Sequence, residues 1–131
     1  MTGLPAGAVN SAGETPEDGC RRELMEETGY HAAEVIQVGL HCPNPATHNN
    51  RVHTYLAVGV TKVTDQIDPE EGIQVVRKPF VDYVKDIMEH PNTDEYNSLY
   101  LAACFLAINH IISTEDPRLS ILRQRLCELF R

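Results

Sequence analysis

Three glutamates in one stretch constrain this chain more than any other feature. Glu23, Glu26 and Glu27 stand three and four residues apart, a spacing that puts all three on one face of a helix. The flanking residues predict that helix. Thr15 is a fitting N-cap, and Pro16 follows at the first helical position, where its missing N–H costs nothing. Glu17 and Asp18 place negative charge in the first turn, and Asp18 sits three residues after Thr15, close to a capping box. Gly29 suits the left-handed residue that ends a helix. Like charges at these spacings oppose the helix by roughly 0.2–0.5 kcal/mol per exposed pair. Two readings account for them. One is a solvated acidic face, offset in part by Arg21 and Arg22. The other is a divalent cation: Mg2+ is hard, prefers carboxylate oxygens, and is held by one or two carboxylates plus substrate phosphates.

The rest of the chain sets the frame. Its 131 residues, 42% of them hydrophobic, fit one domain with a single core. A formal net charge of −8 argues against a nucleic-acid or membrane partner, since both favour basic patches. It leaves room for a nucleotide whose phosphates a metal neutralises. Cys20, Cys42, Cys104 and Cys127 are widely spread and form no CxxC. A reduced, cytoplasmic setting is expected rather than a disulfide framework. No stretch approaches eighteen uncharged apolar residues, so no spanning helix is expected.

Residues 33–40 and 52–60 read as strands, separated by the turn-rich CPNPATHNNR. Residues 63–71 form an acidic loop, and 73–76 a short strand. Lys78-Pro79 opens an amphipathic helix carrying Phe80, Tyr83, Val84, Ile87 and Met88. Residues 93–113 read as a longer helix, apolar around most of its circumference and therefore expected to be well buried. Asp116-Pro117 begins a last helix with Leu119, Leu122, Leu126 and Leu129 at helical spacing. Its arginines fit a solvated face better than a phosphate contact. Helices and strands in this order indicate an α/β fold.

Glu14, seven residues, Arg22-Glu23-Leu24, one residue, Glu26-Glu27, one residue and Gly29-Tyr30 together resemble the Nudix box. Upstream, Leu4-Pro5-Ala6-Gly7 is similar to the start seen in the ADP-ribose pyrophosphatase branch. One departure stands out. The family has five residues between the opening glycine and the first glutamate, whereas Gly7 and Glu14 enclose six, read as an insertion near Asn10-Ser11-Ala12. The resemblance covers residues 4–107, with residues 116–131 an additional helix on a single domain of residues 1–131. It implies an α/β/α sandwich with a mixed sheet. It also implies strands before the box, for which six residues leave no room, so N-terminal strands are expected to be missing. A homodimer would cover the exposed edges.

The resemblance implies a Mg2+-dependent hydrolase, with Mn2+ an alternative, that cleaves the pyrophosphate of ADP-ribose or a related nucleoside diphosphate sugar. A dinucleoside polyphosphate substrate fits the Leu4–Gly7 start less well. A truncated, non-catalytic domain that binds nucleotide or protein is the alternative class. The implied metal ligands are Glu23, Glu27, the Ala6 carbonyl and, from the acidic loop, Glu71. Glu26 is a further ligand or positions water, Arg22 orients the carboxylates, and Glu70 is the general base. Glu70 and Glu71 read equally as an ordinary acidic surface turn. Glu14 is structural or reaches an outer metal. Arg51 meets a substrate phosphate or a surface ion pair. Asn44 fits a turn better than a substrate contact, and His53 fits strand packing better than catalysis.

Overall fold

A computed structural model describes residues 3–10, 12–47, 49–67, 72–91 and 96–131. They fall into two compact units, Leu4–Val76 and Arg77–Arg131, the second joined by Gly3. The mixture of helices with an antiparallel sheet makes the chain α/β, as the sequence pattern predicts.

The first unit is built from helix α1 (Pro16–Thr28) and strands β1 (Tyr30–His41) and β2 (Val52–Lys62). The helix begins and ends where its caps predict. The Thr15 hydroxyl accepts the Asp18 amide at 3.1 Å, and Pro16 occupies the first turn. At the other end Gly29 takes φ 76° and donates its N–H to the Met25 carbonyl. β1 starts at once, three residues earlier than its apolar run suggests, because its whole length pairs with β2. The antiparallel register runs from Tyr30–Lys62 to His41–Val52, with an irregularity between Gln37 and Gly39. Arg21 ties the helix to the strand by donating Nη1 to the Ala32 carbonyl at 2.6 Å. Ala32 and Val35 are buried.

Gly29 also anchors the chain leaving β2. Its carbonyl accepts the Val63 and Thr64 amides at 2.8 and 3.2 Å. A Cβ there would lie 2.1 Å from the Thr64 carbonyl oxygen, on a backbone already left-handed. Gly29→Ala should therefore destabilise the chain by at least about 2 kcal/mol, from the left-handed cost plus a forced shift of the loop. A urea unfolding midpoint unchanged from wild type would contradict this.

The second unit holds α2 (Phe80–Glu89), α3 (Ser98–Ser113), a 3-10 turn (Pro117–Leu119) and α4 (Ser120–Leu129). α3 starts later than its apolar pattern suggests because the Asn97 side chain caps it, accepting the Tyr100 amide at 3.1 Å. Residues 93–95 of the expected helix lie outside the described residues. Asp116 opens the last element as a cap on the Arg118 amide. The core comprises Tyr83, Val84 and Ile87 of α2, Cys104, Ala107, Ile108 and Ile111 of α3, and Leu119 and Leu126. Ile111 and Leu126 have no exposed surface, and burying such a side chain contributes about 1.5–3 kcal/mol. α3 is less enclosed than its composition suggests: Leu99, Phe105 and Ile112 remain exposed. Among the described residues, no single helix is long and apolar enough to cross a membrane.

Residues 73–76 do not form the expected strand. A strand exists through its ladder, and among the described residues β1 and β2 pair only with each other.

Tyr83 is buried and meets Tyr96 edge to face, with ring centroids 5.8 Å apart. Burial pushes its phenol up to about 12 and the nearby Cys104 thiol up to about 11, so both stay protonated at neutral pH. Among the described residues, the Tyr83 hydroxyl has no hydrogen-bond partner. An unsatisfied buried hydroxyl carries its desolvation cost uncompensated. Tyr83→Phe keeps the ring contact and is expected to stabilise the chain by about 1 kcal/mol. A lower urea midpoint for the variant would mean that the hydroxyl has a partner in solution.

Candidate functional site

The glutamates of α1 are gathered by one arginine. Arg22 donates Nε to Glu14 Oε2 at 2.8 Å and Nη2 to Glu14 Oε1 at 3.1 Å, a bidentate pair. Its Nη1 reaches Glu23 Oε1 at 2.8 Å and Glu26 Oε2 at 3.1 Å. Nη2 also donates to the Ala8 carbonyl at 2.9 Å. One guanidinium thus serves three carboxylates and a loop carbonyl, which its planar set of five N–H groups permits and a lysine does not. The Glu14 and Glu23 side chains are mostly enclosed, whereas that of Glu26 is 49% exposed.

The electrostatics follow from these bonds. The hydrogen bonds from Arg22, then that from the Asn10 amide, hold the Glu14 carboxyl below its ordinary range. Glu14 and then Glu23 hold the Arg22 guanidinium protonated well beyond its already high value. Counted formally, three carboxylates and one guanidinium give the cluster a net charge of −2. The cluster explains why like charges sit together on the helix, and it leaves two negative charges for a cation to neutralise.

The segment before the helix lies along the same glutamates. Ala6 donates its backbone N–H to Glu27 Oε2 at 3.1 Å. Gly7 lies so close to Glu23 that a Cβ there would come within 2.1 Å of Oε1. A side chain at this position would collide with Glu23, so the approach of the loop to the helix requires glycine here. Downstream, Gly13 turns at φ 87° and the Asn10 amide donates to Glu14 Oε1 at 3.0 Å.

The donor set suits a hard divalent ion. Glu23, Glu26 and Glu27 offer carboxylate oxygens, and the close approach at Gly7 keeps the Glu23 carboxylate against the loop backbone. Among the described residues, no three acidic, histidine or cysteine side chains already form a metal cage. Mg2+ does not require one, since it keeps several waters and takes substrate phosphates as ligands. The group fits on those terms, with the carboxylates supplying part of the coordination.

Other expected site residues divide. Arg51 bonds through Nη1 to the carbonyls of Asn49 and Asn50 at 3.2 and 3.4 Å, with no described bond to the glutamates. Glu70 and Glu71 lie outside the described residues. The Asn44 carbonyl accepts the Thr47 amide at 3.3 Å, a turn contact. His53 sits in β2 with Nδ1 buried and, among the described residues, without a hydrogen-bond partner. What sequence reasoning missed is backbone: the amides of Ala6 and Asn10 and the carbonyl of Ala8. No side-chain pattern marks such groups. The one available signal was the glycine pair, Gly7 and Gly13, bracketing the loop.

Comparison with known proteins bears on the same segment. The family model described as the NUDIX domain matches residues 1–100. The chain is also 32% identical over 84 residues to an ADP-ribose pyrophosphatase of Bacillus subtilis (strain 168), covering 63% of this chain. It spans 45% of that protein, about half its length.

Proposed function

The chain belongs to the NUDIX family, and from that premise we propose that it hydrolyses the pyrophosphate of ADP-ribose or a related nucleoside diphosphate sugar, with Mg2+ as cofactor. The products are a mononucleotide and a sugar phosphate. The observation that carries this reading is the array of Glu23, Glu26 and Glu27 on α1, the first two bonded by Arg22, Glu27 by the Ala6 amide, with Gly7 close against Glu23.

A bound divalent ion would neutralise pyrophosphate charge and lower the pKa of bound water. Glu23, Glu27 and the Ala6 carbonyl are its proposed ligands, with Glu71 from the acidic loop. Glu26, exposed and accepting a hydrogen bond from Arg22, is suited to a further ligand or to holding the attacking water. Glu70 is the proposed base that accepts the proton of that water. Among the described residues Arg51 bonds neutral backbone carbonyls, and its guanidinium is suited to a phosphate oxygen.

A non-catalytic domain that binds nucleotide or protein is the competing reading. One observation favours it: Arg22 compensates part of the glutamate charge through its ion pairs. The two readings separate on product release from ADP-ribose. Hydrolysis with Mg2+ or Mn2+ that stops on chelation supports the enzyme. A folded chain that binds Mn2+ and nucleotide but releases no product supports the binding domain.

A further inference from the structure

We propose that Ala6 is a positioning residue, whose backbone N–H holds the Glu27 carboxylate in place for cation binding; the proposal rests on the metal-dependent reading above. The hydrogen bond from the Ala6 N–H to Glu27 Oε2 is 3.1 Å long and joins residues 21 apart in sequence. Its acceptor is a carboxylate oxygen, which places it among the charge-assisted bonds. Gly7, the next residue, lies against Glu23, one helical turn before Glu27. Successive loop residues thus meet successive glutamates, and the loop runs antiparallel to α1 along its acidic face.

This contact does something the helix alone cannot. A glutamate on a helix surface has three side-chain torsions, and fixing them at the moment of binding costs affinity. The Ala6 amide fixes them beforehand. It uses one of about four lone-pair directions on the carboxylate. The N–H and the carbonyl of one residue belong to different peptide planes. Ala6 can therefore hold Glu27 with its amide while its carbonyl serves as the proposed ligand. Arg22 performs the corresponding service for Glu23, so the two glutamates are held by different devices.

Two measurements test the proposal. The first is amide hydrogen exchange at Ala6 without metal, in wild type and Glu27→Ala. Exchange about tenfold faster in the variant is expected, from the loss of one charge-assisted bond. Equal rates would overturn the proposal. The second is Mn2+ binding followed by electron paramagnetic resonance, with folding checked by circular dichroism. Ala6→Pro removes the N–H and should weaken binding about fivefold, whereas Ala6→Ser keeps it and should bind within about twofold of wild type. A folded Ala6→Pro chain that binds like wild type overturns the proposal alone. A wild type that binds no Mn2+ overturns the metal-dependent reading and the proposal together. If Ala6→Pro does not fold, the exchange comparison decides.

Discussion

Glu27→Gln is expected to lower turnover by on the order of a hundredfold or more while leaving the fold intact. The substitution changes little except charge. Glutamine matches glutamate in shape and in helix propensity, so α1 loses nothing intrinsic. It also keeps a carbonyl oxygen able to accept the Ala6 N–H. Like-charge repulsion with Glu23 is relieved, which favours the helix slightly. Stability should therefore stay within about 0.5 kcal/mol of wild type. What is lost is one anionic oxygen donor for a divalent ion. Removing a group that only supports a metal ligand already costs about 10–100-fold, and loss of the ligand's own charge should cost more. The Mg2+ concentration for half-maximal rate should rise with it. Wild-type turnover at ordinary Mg2+ would remove Glu27 from the metal site and shift attention to Glu26.

The site was legible in the sequence where side chains carry it. The helix limits followed from Thr15, Pro16 and Gly29, because caps are local chemistry and α1 obeys them. The shared face of the glutamates followed from spacing alone. The bonds of Ala6, Ala8 and Asn10 did not, since every residue has the same amide and carbonyl and only the path of the chain selects which ones are used. The place of Gly7 was ambiguous by one residue in sequence. Its close approach to Glu23 did not show in the sequence either, because that depends on the path of the loop.

The fold divides along similar lines. β1 and β2 were evident from their β-branched and aromatic runs, though each extends beyond its apolar stretch because pairing rewards every ladder position. Residues 73–76 have the composition of a strand but no ladder, and composition cannot supply one. For α3, apolar pattern favoured an early start and the Asn97 cap set a later one. A cap decides a boundary where a periodicity cannot, because periodicity has no ends.

Arg22→Ala should lower turnover by on the order of a hundredfold and also destabilise the chain, which separates it from Glu27→Gln. The guanidinium is the shared partner of Glu14, Glu23 and Glu26. Without it, three carboxylates on and beside one helix face repel, and a misplacement of about 1 Å is enough for a hundredfold loss of rate. Arg22→Lys should rescue stability better than rate, since it restores a charge but not the fork that binds Glu14 in two places. A divalent ion that binds the repelling cluster should stabilise the variant more than wild type, read as a larger rise of thermal midpoint with Mg2+. Acid supplies an independent check. Glu14 is held below its ordinary value of 4.5 in the folded chain. Its contribution is therefore present above that pH and fades as pH falls through the lower folded value. Arg22→Ala removes the largest cause of that shift, so the variant should lose less stability than wild type on acidification below about pH 4.5. If instead the two chains lose stability in parallel across that range, Glu14 is not the partner through which Arg22 holds the loop to the helix.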